Sequence, residues 1–140
     1  MSDELIGTAR GIVDAFNAND WDGFRNRMTE DAVYDEVGTS RTIEGLDPII
    51  DAMKGWKEAM PDVKGTVDNA AATDNGVVLE VTWKGTHTGP LAGPDGSIPA
   101  TGKSQTTRAS WVMEFDGPKH KRSRHYFDML SFMKQLGVIK

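Results

Sequence analysis

The 140-residue chain has no cysteine. Disulfides, thiol nucleophiles and cysteine-bound metals are therefore excluded. No apolar run approaches the roughly 18 residues that a membrane span needs. The start, Met1-Ser2-Asp3-Glu4, lacks the basic and apolar regions of a secretory leader, so a soluble cytoplasmic protein is expected. Basic residues are in deficit, with 16 Lys and Arg against 21 Asp and Glu, which argues against nucleic acid as the main partner. The one basic run, Lys119-His120-Lys121-Arg122-Ser123-Arg124, alternates faces if it is a strand. Also missing are a phosphate loop, G-x-G-x-x-G, G-x-S-x-G and H-E-x-x-H, so nucleotide, serine-hydrolase and zinc-protease chemistry has no motif to rest on.

What is present suits one compact domain over residues 1–140. The 38% of hydrophobic residues, with 15 Gly added and 2 Tyr removed, gives an apolar share of about 47%, which is ordinary for a globular chain. A chain of this size buries roughly 68–70% of its unfolded surface. Leu5, Ile6, Ala9, Ile12, Val13 and Phe16 recur at helical spacing, with Ser2 or Asp3 as the cap. Asp20 can cap a second short helix carrying Trp21, Phe24 and Met28. A short strand is expected over Ala32 to Val37. Asp47-Pro48 opens a third helix over Ile49 to Met60.

From Val63 the period changes to two. Strands are expected over Val63 to Ala71, Gly76 to Thr88, Lys103 to Phe115 and His120 to Met129, with Asp116-Gly117-Pro118-Lys119 as a turn. A short helix through Phe132 and Leu136 closes the chain, with Gly137 at its left-handed end. Helices first and strands afterwards indicate an α+β fold: three N-terminal helices on one face of a curved, mostly antiparallel sheet, and a short C-terminal helix. The segment Gly89 to Gly102 is Gly- and Pro-rich, with a tight turn at Pro94-Asp95-Gly96. It reads equally as a lid over a pocket mouth or as a passive hairpin extension.

Several ordered pieces carry a resemblance. Trp83-Lys84-Gly85-Thr86-His87-Thr88-Gly89-Pro90-Leu91 resembles the GTHTGPL signature of SnoaL-like polyketide cyclases, and Pro99-Ala100-Thr101-Gly102-Lys103 resembles their PATGK. Tyr126-Phe127-Asp128 followed by Gln135-Leu136-Gly137 resembles the family's ending. Asp31-Ala32-Val33-Tyr34 and Gly45 resemble its first strand and the glycine before its third helix. The resemblance implies a cone-shaped α+β barrel of the nuclear transport factor two-like superfamily, with an apolar cavity under the helices, and a homodimer. It also implies intramolecular aldol closure of an aromatic polyketide without metal or other cofactor. The family's acid/base aspartate on the last strand falls on Asp128.

An aldol closure needs a base for a carbon-bound proton and a donor for the oxyanion. Asp128 is the expected base, and a helix cap is its alternative role. Strand parity groups it with Tyr126 and Arg124, so all three are expected to face the cavity, with Arg124 able to pair with Asp128. His87 continues the apolar face of Val77, Leu79, Val81 and Trp83. It is either a buried anchor or a second catalytic group that holds the oxyanion, a role Tyr126 could share. His120 is set aside as part of a charged run, and His125 as outward-facing by parity. Val33 and Val37 suggest that the Asp35 face of the first strand is the buried one, although Tyr34 or Glu36 could touch substrate. Trp83, Trp111, Phe16 and Met113 are the candidate lining for a flat aromatic ligand. The expected partner is a small apolar or aromatic carbonyl substrate. An epoxide hydrolase or isomerase of the same fold, and a binding module without chemistry, are the alternatives.

Overall fold

The computed structural model describes residues 2–93 and 96–139. The first helix, α1 (Ser2–Asn17), buries Ala9, Ile12, Val13 and Phe16 along one stripe. Its start at Ser2 puts any cap at Met1, outside the described residues, and Asp3 lies in its first turn. Asp20 caps α2 (Trp21–Asn26) by accepting from the Gly23 N–H at 2.9 Å. Met28 lies beyond α2 and begins β1 (Met28–Glu36). A single 3-10 turn (Val37–Thr39) and β2 (Arg41–Glu44) follow. Strand β2 was not among the expected elements, because Arg41-Thr42-Ile43-Glu44 offers only one apolar residue.

Helix α3 (Leu46–Ala59) starts one turn earlier than expected. Gly45, at φ 96°, is its N-cap, and Asp47 sits in the first turn, where it pairs with Arg25. The favourable position of a carboxylate at a helix start is thus kept without a capping hydrogen bond. Strands β3 (Lys64–Ala72) and β4 (Gly76–Thr86) follow, then a small hairpin of β5 (Leu91–Gly93) and β6 (Gly96–Ile98). Pro94 and Asp95 of the expected tight turn lie outside the described residues. Strands β7 (Ser104–Asp116) and β8 (Lys119–Phe127) and the short helix α4 (Met129–Gln135) complete the chain. Gly117 and Gly137 take the positive φ that their turn and helix end require. Among the described residues no helix is long and apolar enough to cross a membrane.

Six strands form one sheet in the order β2-β1-β8-β7-β4-β3. Every pairing is antiparallel except β1 with β8. The sheet curves round the helices, giving the expected α+β cone. Its inner face carries Val77, Leu79, Val81, Trp111 and Met113, packed against the buried stripes of α1 and α3. Residues paired across strands share a face, so register decides what points inward on β8. Trp111 pairs with His125, and Ser110 pairs with Tyr126. His125 therefore turns into the core and Tyr126 turns out, the reverse of the expected parity. On β1 the buried residues are Met28, Ala32, Tyr34 and Glu36, again opposite to the face that Val33 and Val37 had suggested.

Candidate active site

Under the helices lies a cavity of about 60 Å³. Its walls are mostly aromatic. Phe16 of α1, Trp56 of α3, Trp83 of β4, Trp111 of β7 and Phe127 of β8 all contribute. The His125 ring lies flat on Trp111, with centroids 4.6 Å apart and planes 11° apart. The rings of Trp83, Tyr34 and Phe127 meet His125 at 5.9, 5.9 and 5.3 Å. Four aromatic neighbours hold the imidazole in one orientation. The cavity is smaller than the several hundred Å³ typical of ligand sites. A polycyclic ligand fits only if the lining gives way, and Met53 and Met60 supply flexible wall for that.

A chain of hydrogen bonds runs through this wall. The Trp83 indole N–H donates to Nε2 of His125 at 3.3 Å. Nδ1 of His125 lies 2.8 Å from the Tyr34 hydroxyl. That hydroxyl donates to Oε2 of Glu36 at 2.9 Å, so its oxygen is left to accept from His125 Nδ1–H. One tautomer satisfies all three contacts: neutral imidazole with the proton on Nδ1.

Glu36 is fully buried yet well partnered. Its Oε1 accepts from Thr39 Oγ1 at 2.6 Å and from Arg41 Nε at 2.7 Å. Its Oε2 also accepts from Trp56 Nε1 at 3.0 Å. Burial alone would raise the carboxyl pKa, but the bonds from Arg41, Thr39 and Trp56 outweigh it and hold the group below its ordinary value. Glu36 is therefore ionised. Burial, with the Glu36 charge beside it, pushes the Tyr34 hydroxyl well above its usual pKa. Burial pushes His125 down to about 4, against a smaller opposing pull from Glu36.

Of the residues named from sequence, Phe16, Tyr34, Trp83 and Trp111 meet at this cavity. Met113 is core and does not line it. The others are elsewhere. Asp128 is exposed and caps α4, accepting from the Ser131 N–H at 3.1 Å. Tyr126 is 44% exposed on the outer sheet face. Arg124 pairs with Glu114 at 2.6 Å rather than with Asp128. His87 is fully buried but outside the lining. Its Nδ1 accepts from the Thr101 N–H at 3.3 Å, and its backbone bonds Lys103 and Gly102. It anchors the Gly89–Gly102 segment. Leu91 of that segment packs into the core and, among the described residues, the segment supplies no cavity residue, which favours the passive hairpin over the lid.

His125, set aside on strand parity, and Glu36, expected at most to touch substrate, both line the cavity, as do Trp56, Gln105 and Thr107, which no sequence pattern singled out. The clue available was the Tyr34–Glu36 parity, one strand face carrying both. Among the described residues no cluster of His, Asp or Glu could hold a metal ion.

A helix-capped, strongly curved sheet over an aromatic cavity defines the ketosteroid isomerase-like class of α+β folds. The chain superposes on a protein of that fold from Catenulispora acidiphila DSM 44928 with a TM-score of 0.77 at 15% identity, over 93% of this chain and 92% of the other. A family model for SnoaL-like polyketide cyclases matches residues 7–136, and the chain belongs to that family. A candidate SnoaL-like polyketide cyclase from Jannaschia sp. CCS1 superposes with a TM-score of 0.87 at 19% identity, covering 99% of this chain and 95% of that one. An LEH-like epoxide hydrolase from M. tuberculosis gives 0.74 at 19%, covering 98% and 92%. At such identities the likeness is one of fold. No curated protein matches the sequence significantly.

Proposed function

We propose that this chain is an acid–base enzyme that closes a ring in a polyketide-type carbonyl compound by intramolecular aldol addition, with His125 as the base. The observation that carries this reading is the His125–Tyr34–Glu36 chain, which opens onto an apolar cavity through a neutral imidazole nitrogen. Asp128, a solvent-exposed cap, has no part in it.

In this reading Nε2 of His125 leaves its long contact with Trp83 and takes a proton from a carbon between two carbonyls. The resulting imidazolium keeps its Nδ1–H on Tyr34, whose own proton points to ionised Glu36. The charge formed on the ring is thus met by a fixed anion one residue away, as in any base oriented by a third group. The enolate carbon attacks the second carbonyl carbon. A C–C bond forms, the π pair moves to oxygen, and the alkoxide recovers the proton from His125. Trp111 is suited to hold the enolate oxygen, since its indole N–H is buried without an acceptor and its ring lies on His125.

The test is cyclisation of an anthraquinone-type polyketide methyl ester, followed by absorbance. Wild type is expected to turn over, and His125→Asn to lose at least ~10²-fold, the usual size of a general-base contribution. Full activity in His125→Asn would overturn the assignment. Binding without turnover by wild type would leave a ligand-binding module instead.

A further inference from the structure

The cavity has a second polar end, which the proton-transfer chain does not use. Gln105 and Thr107 project into it from β7 and are nearly fully buried. Thr107 Oγ1 donates to the Gln105 carbonyl oxygen. The Gln105 amide nitrogen has two protons to give, yet its one partner is the Met60 thioether sulfur at 3.4 Å. A thioether is a weak acceptor. A buried N–H is costly to leave poorly matched, more so than a spare carbonyl lone pair. The other donors at the cavity wall are differently placed. Those of Tyr34, Trp56 and Trp83 are spent on Glu36 and His125, and that of Trp111, which has no partner, belongs to the His125 end, where its ring stacks on the imidazole.

Met60 reaches this position because of Gly85, which pairs with Gln105 across β4 and β7. A Cβ on Gly85 would lie 3.1 Å from the Met60 sulfur. The sulfur is thus admitted over the amide by a missing side chain, and it sits on three rotatable bonds that let it swing away. Trp83 separates the two polar ends. It pairs with Thr107 in the sheet and donates to His125 through its ring.

We infer that Gln105 is a specificity-determining residue whose amide N–H, with Met60 as its displaceable placeholder, binds a carbonyl oxygen of the ligand at the end of the cavity remote from His125. The ligand is then a neutral molecule with an apolar body and an acceptor oxygen at that end. The inference rests on the proposed function only for which end reacts, and its test reads binding alone.

Acetophenone and ethylbenzene are near-isosteres that differ in the acceptor. Their dissociation constants can be measured by following protein amide signals in NMR titrations. Without a donor in the cavity, ethylbenzene binds tighter, because the ketone loses its hydrogen bond to water. Wild type is expected to prefer acetophenone by about fivefold to tenfold, the worth of one hydrogen bond. Gln105→Leu, and independently Gln105→Glu at pH 8, where the carboxylate can only accept, are expected to invert that preference. His125→Asn is expected to keep it. A wild type that prefers ethylbenzene, or a ratio unchanged in both Gln105 variants, overturns the inference. Loss of cyclase turnover in every assay would leave it standing and remove only the proposed reaction.

Discussion

Two buried histidines on one strand show how differently the same burial can be used. His120 and His125 both lie on β8, and burial lowers both to a pKa of about 4. His125 is stacked on Trp111, bonded through both ring nitrogens and open to the cavity. His120 meets the edge of Phe115, and neither of its ring nitrogens has a partner. One imidazole is linked through Tyr34 to a carboxylate that would stabilise its charged form. The other sits where a charge would find nothing. Burial and a shifted pKa therefore do not mark a functional group by themselves. The connection to Tyr34 and Glu36 does.

The comparison is broken most directly by activity. His125→Ala is expected to cost ~10²- to 10⁴-fold in kcat, whereas His120→Leu should leave kcat within about twofold of wild type. Steady-state rates of the two variants side by side decide this, and an equal loss in both would reduce the difference to one of folding. The pH profile sharpens the same contrast. The base must be neutral, so kcat/KM is expected to be flat at neutral pH and to fall as pH drops through about 4. An acid limb near the ordinary histidine value would show that His125 is not the group titrating.

Stability should also carry the mark of both rings. Each binds a proton in the unfolded chain at an ordinary histidine pKa of 6.5, but in the fold only near 4. Between these values the unfolded state holds more protons, so stability is full above about pH 6.5 and drains away as pH falls towards 4. The size is about 3 kcal/mol per histidine. His120→Leu is expected to remove about half of that pH dependence and to stabilise the protein at pH 7 by about 1 kcal/mol, since it deletes two unsatisfied buried atoms at similar volume. Urea unfolding at pH 5 and pH 7 measures both.

Much of the scaffold was legible in the sequence, for reasons these residues make plain. The alternation of Val77, Leu79, Val81 and Trp83 admits one reading, and it put Trp83 on the inner face. The inner face of β7 followed from Ala109, Trp111 and Met113. Strand β8 offers no such contrast. Ser123, His125 and Phe127 on one face and Arg124 and Tyr126 on the other are about equally polar, and only the pairing of Trp111 with His125 settles which is inside. The burial of Glu36 was hidden for a different reason. A buried carboxylate is tolerable only with its partners, and Thr39, Arg41 and Trp56 come from a turn, an edge strand and a helix that no local pattern links.

Glu36 is the part of the network furthest from the reacting carbon, so its effect should be smaller than that of His125. Glu36→Gln keeps the shape but removes the anion that faces the imidazolium. A loss of about tenfold to a hundredfold in kcat is expected, with KM little changed, because the charge matters only once His125 has taken the proton. A change confined to KM would instead make Glu36 part of substrate binding.

The smallest effect expected is at Asp128, where the sequence and the structure diverge most. Its family resemblance gives it the acid/base role, and its carboxylate faces solvent at the first turn of α4, bonded to the Ser131 N–H. An N-cap of this kind is worth about 1 kcal/mol, and it matters here because α4 is only 7 residues long and buries Phe132 and Leu136 in the core. Asp128→Ala should therefore lower stability by about that amount and leave turnover within about twofold at a temperature where the fold is intact, while Asp128→Asn, which can still cap, should change neither. A hundredfold loss of turnover in Asp128→Asn with unchanged unfolding would return the base to Asp128 and require the end of β8 to turn inward when substrate binds.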